Sequence, residues 1–343
     1  MDHTQLTSLL DRFKDLTILV LGDFFLDRYL MIDPDLAEKS VETGLEAHQV
    51  VEIRNSPGAA GTVTNNLCAL EVGQVIALGI VGQDGHGFDL TQGLEKTGVD
   101  TSHLITTPKR YTPTYTKPIR ISTGSEMERL DVKNRTIVSP DLEERLLDRF
   151  EALFAEADGV IVVDQVQERG CGTITDGVRR KVAELGSRND RPVLADSRAH
   201  IDTFSNVILK PNENELAGLV GDRTEPDIAA LTLAHRIQRP VILTRGSEGI
   251  VASDGLVTWS IPGIPVPEPT DIVGAGDSVS AAVVSALAGG ADLPEAALLG
   301  LIASSITVQQ IGTTGTATPS QVLSRFTDTY PRGFTPRADS PQR

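Results

Sequence analysis

Short apolar runs rich in β-branched residues recur along the chain, with longer segments of mixed polarity between them. The runs are TILVLG (17–22), VIALGIVG (75–82), GVIVVD (159–164), PVLAD (192–196), NVILK (206–210) and PVILTRG (240–246). Uninterrupted runs of this kind are typical of strands buried on both faces of a parallel sheet. The segments at 141–157, 171–187 and 225–238 have the length of amphipathic crossover helices. The pattern therefore predicts an α/β fold with a mostly parallel central sheet.

Two segments depart from this alternation, residues 33–56 and residues 109–133. They contain AHQVVEIR and YTKPIRIS, in which polar and apolar positions alternate as in strands with one exposed face. We predict that they form a small lid of antiparallel strands. The segment 330–343 is rich in Pro, Arg and Ser and has no apolar period. It is therefore predicted to be a mobile tail after a single domain at 1–329.

Composition and charge exclude several classes of function. The formal net charge of -16 would repel a polyanion, so nucleic acid is excluded as a partner. No apolar run approaches the ~18 residues that a membrane span requires, so no membrane partner is expected. Cys68 and Cys171 form no C-x-x-C pair, which favours a reducing compartment and free thiols. We therefore predict a cytoplasmic protein.

Polar residues follow most of the predicted strands. They are Asp23, Asp27, Asp164, Asp196, Lys210, Asn212, Thr244 and Arg245. Taken singly, any one of the aspartates is better interpreted as a helix cap than as a ligand contact. In an open parallel sheet, however, ligands bind beyond the carboxyl ends of the strands. The convergence of these residues on one edge predicts a binding site there.

The strongest local signal is the segment DIVGAGDSVSAAVVSALAGG at 271–290. The turn Gly274-Ala275-Gly276 runs into a helix of small residues, so unpaired N–H groups and the helix dipole face one point that suits a phosphate. Asp277 beside this turn would repel a resting anion. We interpret it as a general base that takes a proton from a hydroxyl while the turn holds the transferred phosphoryl group. In an isolated G-x-G-D, an acid that merely stabilises its own helix would be the better interpretation.

These residues resemble the ribokinase-like (PfkB) family of carbohydrate kinases. The family signature D-T-x-G-A-G-D is matched at 271–277, with Ile272 in place of Thr. The resemblance covers roughly residues 17–320 and implies a ribokinase-like three-layer fold with ATP and Mg²⁺ as cofactors. The resemblance to several members of the family also implies a bound monovalent cation such as K⁺, which in this chain would lie near Asp271.

Two further segments carry the resemblance and imply nucleotide contacts. In LKPNENEL, Asn212 and Glu215 have the spacing of the family's N-x-x-E motif, and Glu215 would hold Mg²⁺ through water. In LTRGSEGI, Thr244, Gly246 and Gly249 resemble the family's nucleotide-binding strand and turn.

The N-terminal part is most similar to the heptose 7-phosphate kinases, the kinase part of the bifunctional enzymes of ADP-heptose synthesis. LVLGDFFLDRY (19–29) resembles their G-D-x-x-L-D-R-Y, and PTYTKPIRISTGSEMERLDV (113–132) resembles their lid. The resemblance implies that Asp27 accepts hydrogen bonds from sugar hydroxyls and that Lys117, Arg120 and Arg129 meet a substrate phosphate. Each of these cations is as consistent with the charged outer face of a lid strand.

The sugar-binding signature G-G-A-A-N appears in altered form at 58–62. Ala59 stands where the family has its second glycine, and Thr62 replaces the sugar-contacting Asn. A Thr hydroxyl has a shorter reach than an amide and lacks its paired donor and acceptor. Gly58, Ala59 and Thr62 remain the expected sugar contacts, but the departure leaves the identity of the sugar open.

The leading hypothesis is an ATP-dependent kinase for a sugar or sugar-phosphate hydroxyl, with heptose 7-phosphate as the best match. A ketose, a ribose or a nucleoside is the alternative acceptor. A non-catalytic sugar- or nucleotide-binding regulator is the alternative from another class, and the intact Asp277, Asn212 and Glu215 argue against it. Because exposed β-edges are normally covered, we also predict a homodimer formed through the lid.

Overall fold

The computed structural model describes residues 1–221 and 224–339. Its helices are α1 (His3–Arg12), α2 (Ala60–Ala69), α3 (Gly85–Lys96), α4 (Pro140–Glu156), α5 (Asp176–Gly186), α6 (Glu213–Val220), α7 (Pro226–Ile237), α8 (Ala275–Ala288), α9 (Leu293–Thr307) and α10 (Pro319–Thr329). Its strands are β1 (Thr17–Gly22), β2 (Phe24–Lys39), β3 (Glu46–Ala59), β4 (Gln74–Leu78), β5 (Ile80–Gly82), β6 (Ile105–Thr107), β7 (Thr114–Arg120), β8 (Ser125–Glu126), β9 (Leu130–Val132), β10 (Gly159–Asp164), β11 (Val193–Ser197), β12 (Ile208–Leu209), β13 (Val241–Thr244), β14 (Gly249–Ser253), β15 (Thr258–Pro262) and β16 (Ala338–Asp339).

A nine-stranded sheet forms the centre of the molecule, in the order β16-β15-β14-β13-β12-β11-β10-β1-β4. The strands from β4 to β13 pair in parallel, and β13 to β16 pair antiparallel. The predicted strands at 17–22 and 159–164 are confirmed as β1 and β10. The α/β class with a mostly parallel sheet is confirmed as well.

The alternation of side chains in β1 explains why its sequence is continuously apolar. Ile18 and Val20 belong to a core shared with α1, α2, α8, α9 and α10. Leu19 and Leu21 point the other way, into a core shared with α4, α5, α6 and α7. Both faces of the sheet are therefore covered by helices, and the buried positions from Ile18 to Gly22 leave no place for a polar residue.

Two predicted boundaries are corrected by local chemistry. The run at 75–82 is divided into β4 and β5, because Gly79 passes so close to β1 that a Cβ there would lie 2.6 Å from the carbonyl oxygen of Gly22. The helix expected from residue 171 begins instead at Asp176, where the Thr175 side chain accepts a hydrogen bond from the N–H of Val178. Such an N-cap fixes the start of a helix.

The lid is a second sheet, formed by β2, β3, β7, β8 and β9. It begins at Phe24 and extends to Ala59, so the predicted bounds of 33–56 are too narrow. The first residues of β2 are buried and apolar, and for that reason they lack the alternation that marks the rest of the lid. The β2–β3 pair is antiparallel as expected, but β7 pairs with β2 in parallel, so the expectation of antiparallel strands throughout is wrong.

The prediction of a mobile tail is wrong for residues 330–339. The rings of Tyr330 and Phe334 pack 5.5 Å apart between centroids, and both side chains contact the core. The N–H of Phe334 donates to the carbonyl oxygen of Met1 at 2.8 Å, and β16 pairs with β15. Two aromatic residues were enough to fix a segment whose composition otherwise indicated disorder. Residues 340–343 lie outside the described residues.

Cys68 and Cys171 are free thiols. Within 1–221 and 224–339, no helix combines the length and the apolar character that a membrane span needs.

Candidate active site

The polar strand ends meet under the lid, at the edge where β1, β10, β11 and β12 end. Strand register determines which lid side chains face this edge. Phe25 and Asp27 are two residues apart on β2, and Asp27 pairs with Tyr115 on β7, so the three side chains share one lid face. Tyr29 pairs with Lys117 and continues the same face. We call it the inner face of the lid.

The turn at 274–276 forms the start of α8, opposite the inner face of the lid. Gly274 occupies the N-cap position with φ +83°, and no described side chain caps the helix there. The N–H groups of Gly276 and Asp277 have no partner within the helix, because the first turn of any helix leaves its donors free. A Cβ at Gly276 would lie 3.4 Å from Lys210 Nζ, so the turn is also in close contact with a buried cation. This arrangement of N–H groups and a cation suits a phosphoryl group.

Asp277 has the electrostatic properties of a base at neutral pH. Burial and the neighbouring Asp196 carboxylate raise its pKa to about 7, while Lys210 opposes the shift and Asp27 adds to it. A general base works best when its pKa is close to the working pH. The structure thus places Asp277, at the N-terminal end of α8, within electrostatic reach of Asp27.

Lys210 and Asp196 form a buried ion pair beside Asp277. The Lys210 ammonium lies 2.8 Å from Asp196 Oδ2, and the Ser280 hydroxyl donates to the same oxygen at 3.2 Å. Lys210 is 4% exposed. Burial alone would lower the pKa of Lys210, but the carboxylates of Asp196 and then Asp277 hold this pKa above its usual value. The ammonium therefore stays charged at the point where phosphate oxygens would lie.

Asp27 and Lys117 are paired with each other. Lys117 Nζ lies 2.9 Å from Asp27 Oδ1 and 3.4 Å from the Tyr29 hydroxyl. Asp27 offsets part of the positive charge of Lys117 in this geometry. That Lys117 meets a substrate phosphate stays a prediction. Arg120 lies three residues further along β7, on the opposite face of the lid, and does not face the site.

Gly58 and Ala59 hold the chain close to Asp27 where β3 leads into α2. A Cβ at Gly58 would lie 2.5 Å from Asp27 Oδ2, so only glycine leaves room for the carboxylate in its observed position. Ala59 has φ 52° and ψ -116°. This backbone conformation is one that glycine adopts readily and L-residues avoid, which accounts for the glycine that the family has here.

Thr62 is buried at the start of α2 and lies against the glycine turn. Its methyl carbon Cγ2 would be 3.2 Å from a Cβ placed at Gly274. The structure therefore brings Thr62 together with Gly274, and its role as a sugar contact stays a prediction.

The expected nucleotide residues also come together. Asn212 caps α6 by accepting the N–H of Glu215 at 2.9 Å, and Glu215 Oε2 accepts the N–H of Asn212 at 2.9 Å. Asn212 and Thr244 are joined by a parallel bridge, which sets α6 beside the turn after β13. Gly246 and Gly249 in that turn have φ +54° and +106°.

The donor set tests whether Mg²⁺ and K⁺ fit. No cluster of three His, Cys, Asp or Glu side chains able to hold a metal occurs in the described part of the chain. Glu215 keeps one carboxylate oxygen, which fits a Mg²⁺ ion bound mainly by water and phosphate. At Asp271, one carboxylate oxygen accepts the N–H of Val273 at 3.1 Å and the other that of Gly312 at 3.1 Å. Asp271 thus joins two loops, and its oxygens retain lone pairs for a cation.

Several residues of the site escaped prediction from the sequence. Lys210 and Asp196 were expected at the sheet edge, but without a role beside Asp277. Tyr115, Lys133 and Arg198 were not singled out at all, although they line a cavity under the lid together with Arg129. The alternation of side chains along a strand was the available signal. Lys133 lies two residues from Asp131, which pairs with Tyr115, so the three side chains fall on the same face of the lid.

A buried carboxylate with a raised pKa at the N-terminus of a glycine-capped helix, beside a buried cation, suits phosphoryl transfer. Residues 28–321 match the profile of the pfkB family carbohydrate kinases, and the chain belongs to this family. It is therefore a phosphotransferase that acts on a hydroxyl of a carbohydrate-type acceptor.

Curated relatives agree with this assignment. The chain is 31% identical to the bifunctional protein HldE of Trichlorobacter lovleyi over 332 residues, which cover 94% of this chain and 65% of that protein. It is 31% identical to HldE of Geotalea uraniireducens over 341 residues, covering 96% of this chain and 67% of that protein. The chain therefore spans about two thirds of the length of these relatives.

Solved structures show the same ribokinase-like fold at lower identity. The ribokinase of Arabidopsis thaliana complexed with ribose and ATP superposes with a TM-score of 0.66 at 22% identity, covering 90% of this chain and 98% of that one. Phosphofructokinase-2 of Escherichia coli in complex with potassium gives a TM-score of 0.67 at 19% identity, covering 91% and 98%.

Proposed function

We propose that this protein transfers the γ-phosphoryl group of ATP to a hydroxyl of a sugar phosphate, with heptose 7-phosphate as the acceptor. The position and raised pKa of Asp277, about 7, beside Lys210 at the start of α8 carry the proposal. The similarity to the heptose kinases in the segments at 19–29 and 113–132, together with the HldE relatives, supports the choice of acceptor.

In the proposed reaction, Asp27 accepts hydrogen bonds from sugar hydroxyls while Lys117 and Gly58 fix its orientation. Asp277 takes the proton of the attacking hydroxyl, whose oxygen forms a new bond to phosphorus as the bond to the ADP oxygen breaks. The N–H groups of Gly276 and Asp277 and the Lys210 ammonium stabilise charge on the transferred group. Bound ATP supplies the phosphoryl group, and Mg²⁺ neutralises part of its charge.

Nucleotide binding is assigned to Asn212, Glu215, Thr244, Gly246 and Gly249, with Glu215 holding Mg²⁺ through water. Asp271 is assigned to a K⁺ site, and no step is routed through that ion. Further parts of the proposal are a homodimer formed through the lid and a cytoplasmic location, which the two free thiols favour.

Acceptor-dependent release of ADP tests the proposal. The purified protein with Mg²⁺, ATP and K⁺ is offered heptose 7-phosphate, fructose phosphates, fructose, ribose and adenosine. We expect ADP release with heptose 7-phosphate above all others. Faster ADP release with fructose, ribose or adenosine would show that heptose 7-phosphate is the wrong acceptor, while the assignment of kinase activity would stand. ATP binding with no release for any acceptor would favour the non-catalytic regulator.

A further inference from the structure

Asp23 lies between the last residue of β1 and the first residue of β2, so it joins the central sheet to the lid. Its main chain is hydrogen-bonded to two further elements. The N–H of Asp23 donates to the carbonyl oxygen of Val163 on β10 at 3.0 Å, and its carbonyl oxygen accepts the N–H of Ala60, the first residue of α2, at 3.1 Å. Asp23 thus holds the start of the lid against β10 and α2.

The side chain of Asp23 connects a third element to this junction. Its Oδ2 accepts the N–H groups of Gln165 and Val166 at 2.9 and 3.0 Å, and its Oδ1 accepts that of Thr173 at 2.6 Å. These donors lie at the two ends of the segment that follows β10. We call residues 165–173 the β10 loop. One carboxylate therefore holds the two ends of the β10 loop together.

The β10 loop fits closely around this carboxylate. Asp23 is 3% exposed, and a Cβ at Gly172 would lie 2.7 Å from its Oδ1 and 2.8 Å from the Cβ of Val166. Burial and the neighbouring Asp164 carboxylate raise the pKa of Asp23 to about 6, while the three N–H groups oppose the shift. Hydrogen bonds to a charged carboxylate favour its charged form. The carboxylate is therefore charged at neutral pH and accepts strong hydrogen bonds from the loop.

The β10 loop lies across from the inner face of the lid. A cavity of about 230 Å³ separates the two, with the loop on one side and Phe25 and Tyr115 of the lid on the other. Phe25 and Asp27 come two and four residues after Asp23 in the chain. The two walls are thus held by one residue, the loop through the side chain of Asp23 and the lid through its main chain.

We infer that Asp23 is a positioning residue for the acceptor, which holds the β10 loop at a fixed distance from the lid strand that carries Asp27. Asp23 acts through the loop and the lid, and takes no part in the chemical step. An acceptor that meets both walls already in place loses less free energy in ordering them, so it binds more tightly. The inference rests on the proposed function for the role of Asp27 in binding the acceptor.

The middle of the β10 loop is held independently of Asp23. The N–H of Val138 donates to the carbonyl oxygen of Gly170, and the Arg110 guanidinium donates to that of Cys171. Loss of the Asp23 contacts should therefore loosen the ends of the loop while the rest of the domain stays folded.

Asp23→Asn and Gly172→Ala test the inference in two different ways. Asn keeps the size of the side chain but has one acceptor oxygen instead of two, so one end of the loop is released. Gly172→Ala keeps the charge of Asp23 and pushes the loop away from it. Asp254→Asn is the control for the first, because Asp254 accepts two N–H groups in an exposed turn outside the lid. Gly85→Ala is the control for the second, because nothing lies within 4 Å of a Cβ there.

Amide hydrogen exchange, followed by mass spectrometry without ligands, measures whether the loop is held. We expect peptides that contain residues 165–173 to exchange at least tenfold faster in Asp23→Asn and Gly172→Ala, and peptides of α9 to exchange as in the wild type. Both controls should leave exchange at 165–173 unchanged. Unchanged exchange at 165–173 in both test variants would overturn the inference. Equal acceleration in all peptides of both variants would also overturn it, because it would show a role in overall stability alone.

Calorimetry and steady-state kinetics measure the effect on the two substrates. Heptose 7-phosphate should bind at least fivefold more weakly to both test variants in the absence of ATP, and its KM should rise by a similar factor. The Kd for ATP and kcat at saturating acceptor should stay within twofold of the wild type. A loosened loop with unchanged acceptor affinity, or an equal loss of affinity for ATP, would overturn the positioning role.

The same measurements separate this inference from the proposed function. Normal ADP release with unchanged acceptor affinity in both test variants would refute the role of Asp23 and leave the kinase standing. Acceptor binding that weakens in both variants, in a protein that releases no ADP, would support the role of Asp23 and refute the kinase. If another acceptor of the panel is preferred, the comparison is made with that acceptor, and the same outcomes decide it.

Discussion

Lys210 Nζ lies 2.8 Å from Asp196 Oδ2, in a buried pair that connects the ends of β11 and β12 to the base. Three carboxylates surround this ammonium, those of Asp196, Asp277 and Glu215. A buried charge that loses its partner is strongly destabilising, so the pair holds the site together. It also sets the charge that Asp277 experiences.

Lys210→Met should move the acid limb of the pH profile of kcat/KM above its wild-type position near pH 7. Lys210 lowers the pKa of Asp277, so without it the base is protonated up to higher pH. The measurement is the pH dependence of ADP release. Lys210→Arg keeps the positive charge and should keep the limb near pH 7. A loss of activity in Lys210→Met with an unmoved limb would show that Lys210 does not set the pKa of Asp277.

Gly58→Ala should raise the KM for the acceptor at least tenfold and change the KM for ATP less than twofold. The new Cβ would lie 2.5 Å from Asp27 Oδ2, so the carboxylate has to turn away from the sugar. Steady-state kinetics with each substrate varied in turn provides the comparison. Gly85→Ala is the control, because nothing lies within 4 Å of a Cβ placed there. Unchanged acceptor binding in Gly58→Ala would remove Asp27 from the sugar site.

Ala59→Gly should stabilise the fold by about 1 kcal/mol. Ala59 has φ 52°, and glycine relieves the strain of a side chain in that region. Urea unfolding measures the difference in the free energy of unfolding. Ala60→Gly, one residue later at the start of α2, should destabilise by about 1 kcal/mol because its backbone is helical. Destabilisation by both changes would contradict the assignment of strain to Ala59.

The wild-type protein should be a dimer at micromolar concentration, and Val51→Lys with Ile53→Lys should make it a monomer. Val51 and Ile53 are each 51% exposed, and Ile53 pairs with Leu30 on the outer face of the lid. Exposed apolar lid surface of this kind favours association. Light scattering gives the mass. Leu256→Lys, at a residue that is 76% exposed outside the lid, should leave the dimer intact. A monomeric wild type would contradict the prediction.

Patterns of buried residues made the fold predictable. The strands β1 and β10 are apolar except for Thr17 at the start of β1 and Asp164 at the end of β10, and the sequence locates both ends of each. Segments in which burial changes from one end to the other were harder to predict. The beginning of β2 is buried and its end is exposed, so the lid was placed too late. The C-terminal segment has a polar composition, and the packing of Tyr330 and Phe334 depends on partners far away in the chain.

The motif residues of the site were predictable because spacing marks them. The structure has Asp277 in the first turn of α8, and Asn212 and Glu215 at the start of α6. The pairing of Lys117 with Asp27 was not predictable from the sequence, because each of the two charged residues could equally well have been expected to contact a ligand. Lys210 follows a two-residue strand, and its complete burial against Gly276 depends on how α8 packs on the sheet. Sequence spacing carries no information on that distance.

Asp277→Asn should be folded and more stable than the wild type at pH 8, which makes it a clean test of the base. The folded-state pKa of Asp277, about 7, lies above its model-peptide value of 3.8, so its charged form opposes folding. That opposition grows as the pH rises from about 4 and is complete above pH 7. Urea unfolding at pH 8 should show a gain of roughly 1–3 kcal/mol. Asp328→Asn changes an exposed carboxylate and should show none.

Turnover of Asp277→Asn with ATP, Mg²⁺ and the best acceptor is the decisive measurement. If Asp277 takes the proton of the attacking hydroxyl, kcat should fall roughly 10²- to 10⁴-fold while the Kd for ATP stays within twofold. Near-normal turnover in this variant would contradict the assignment of Asp277 as the base.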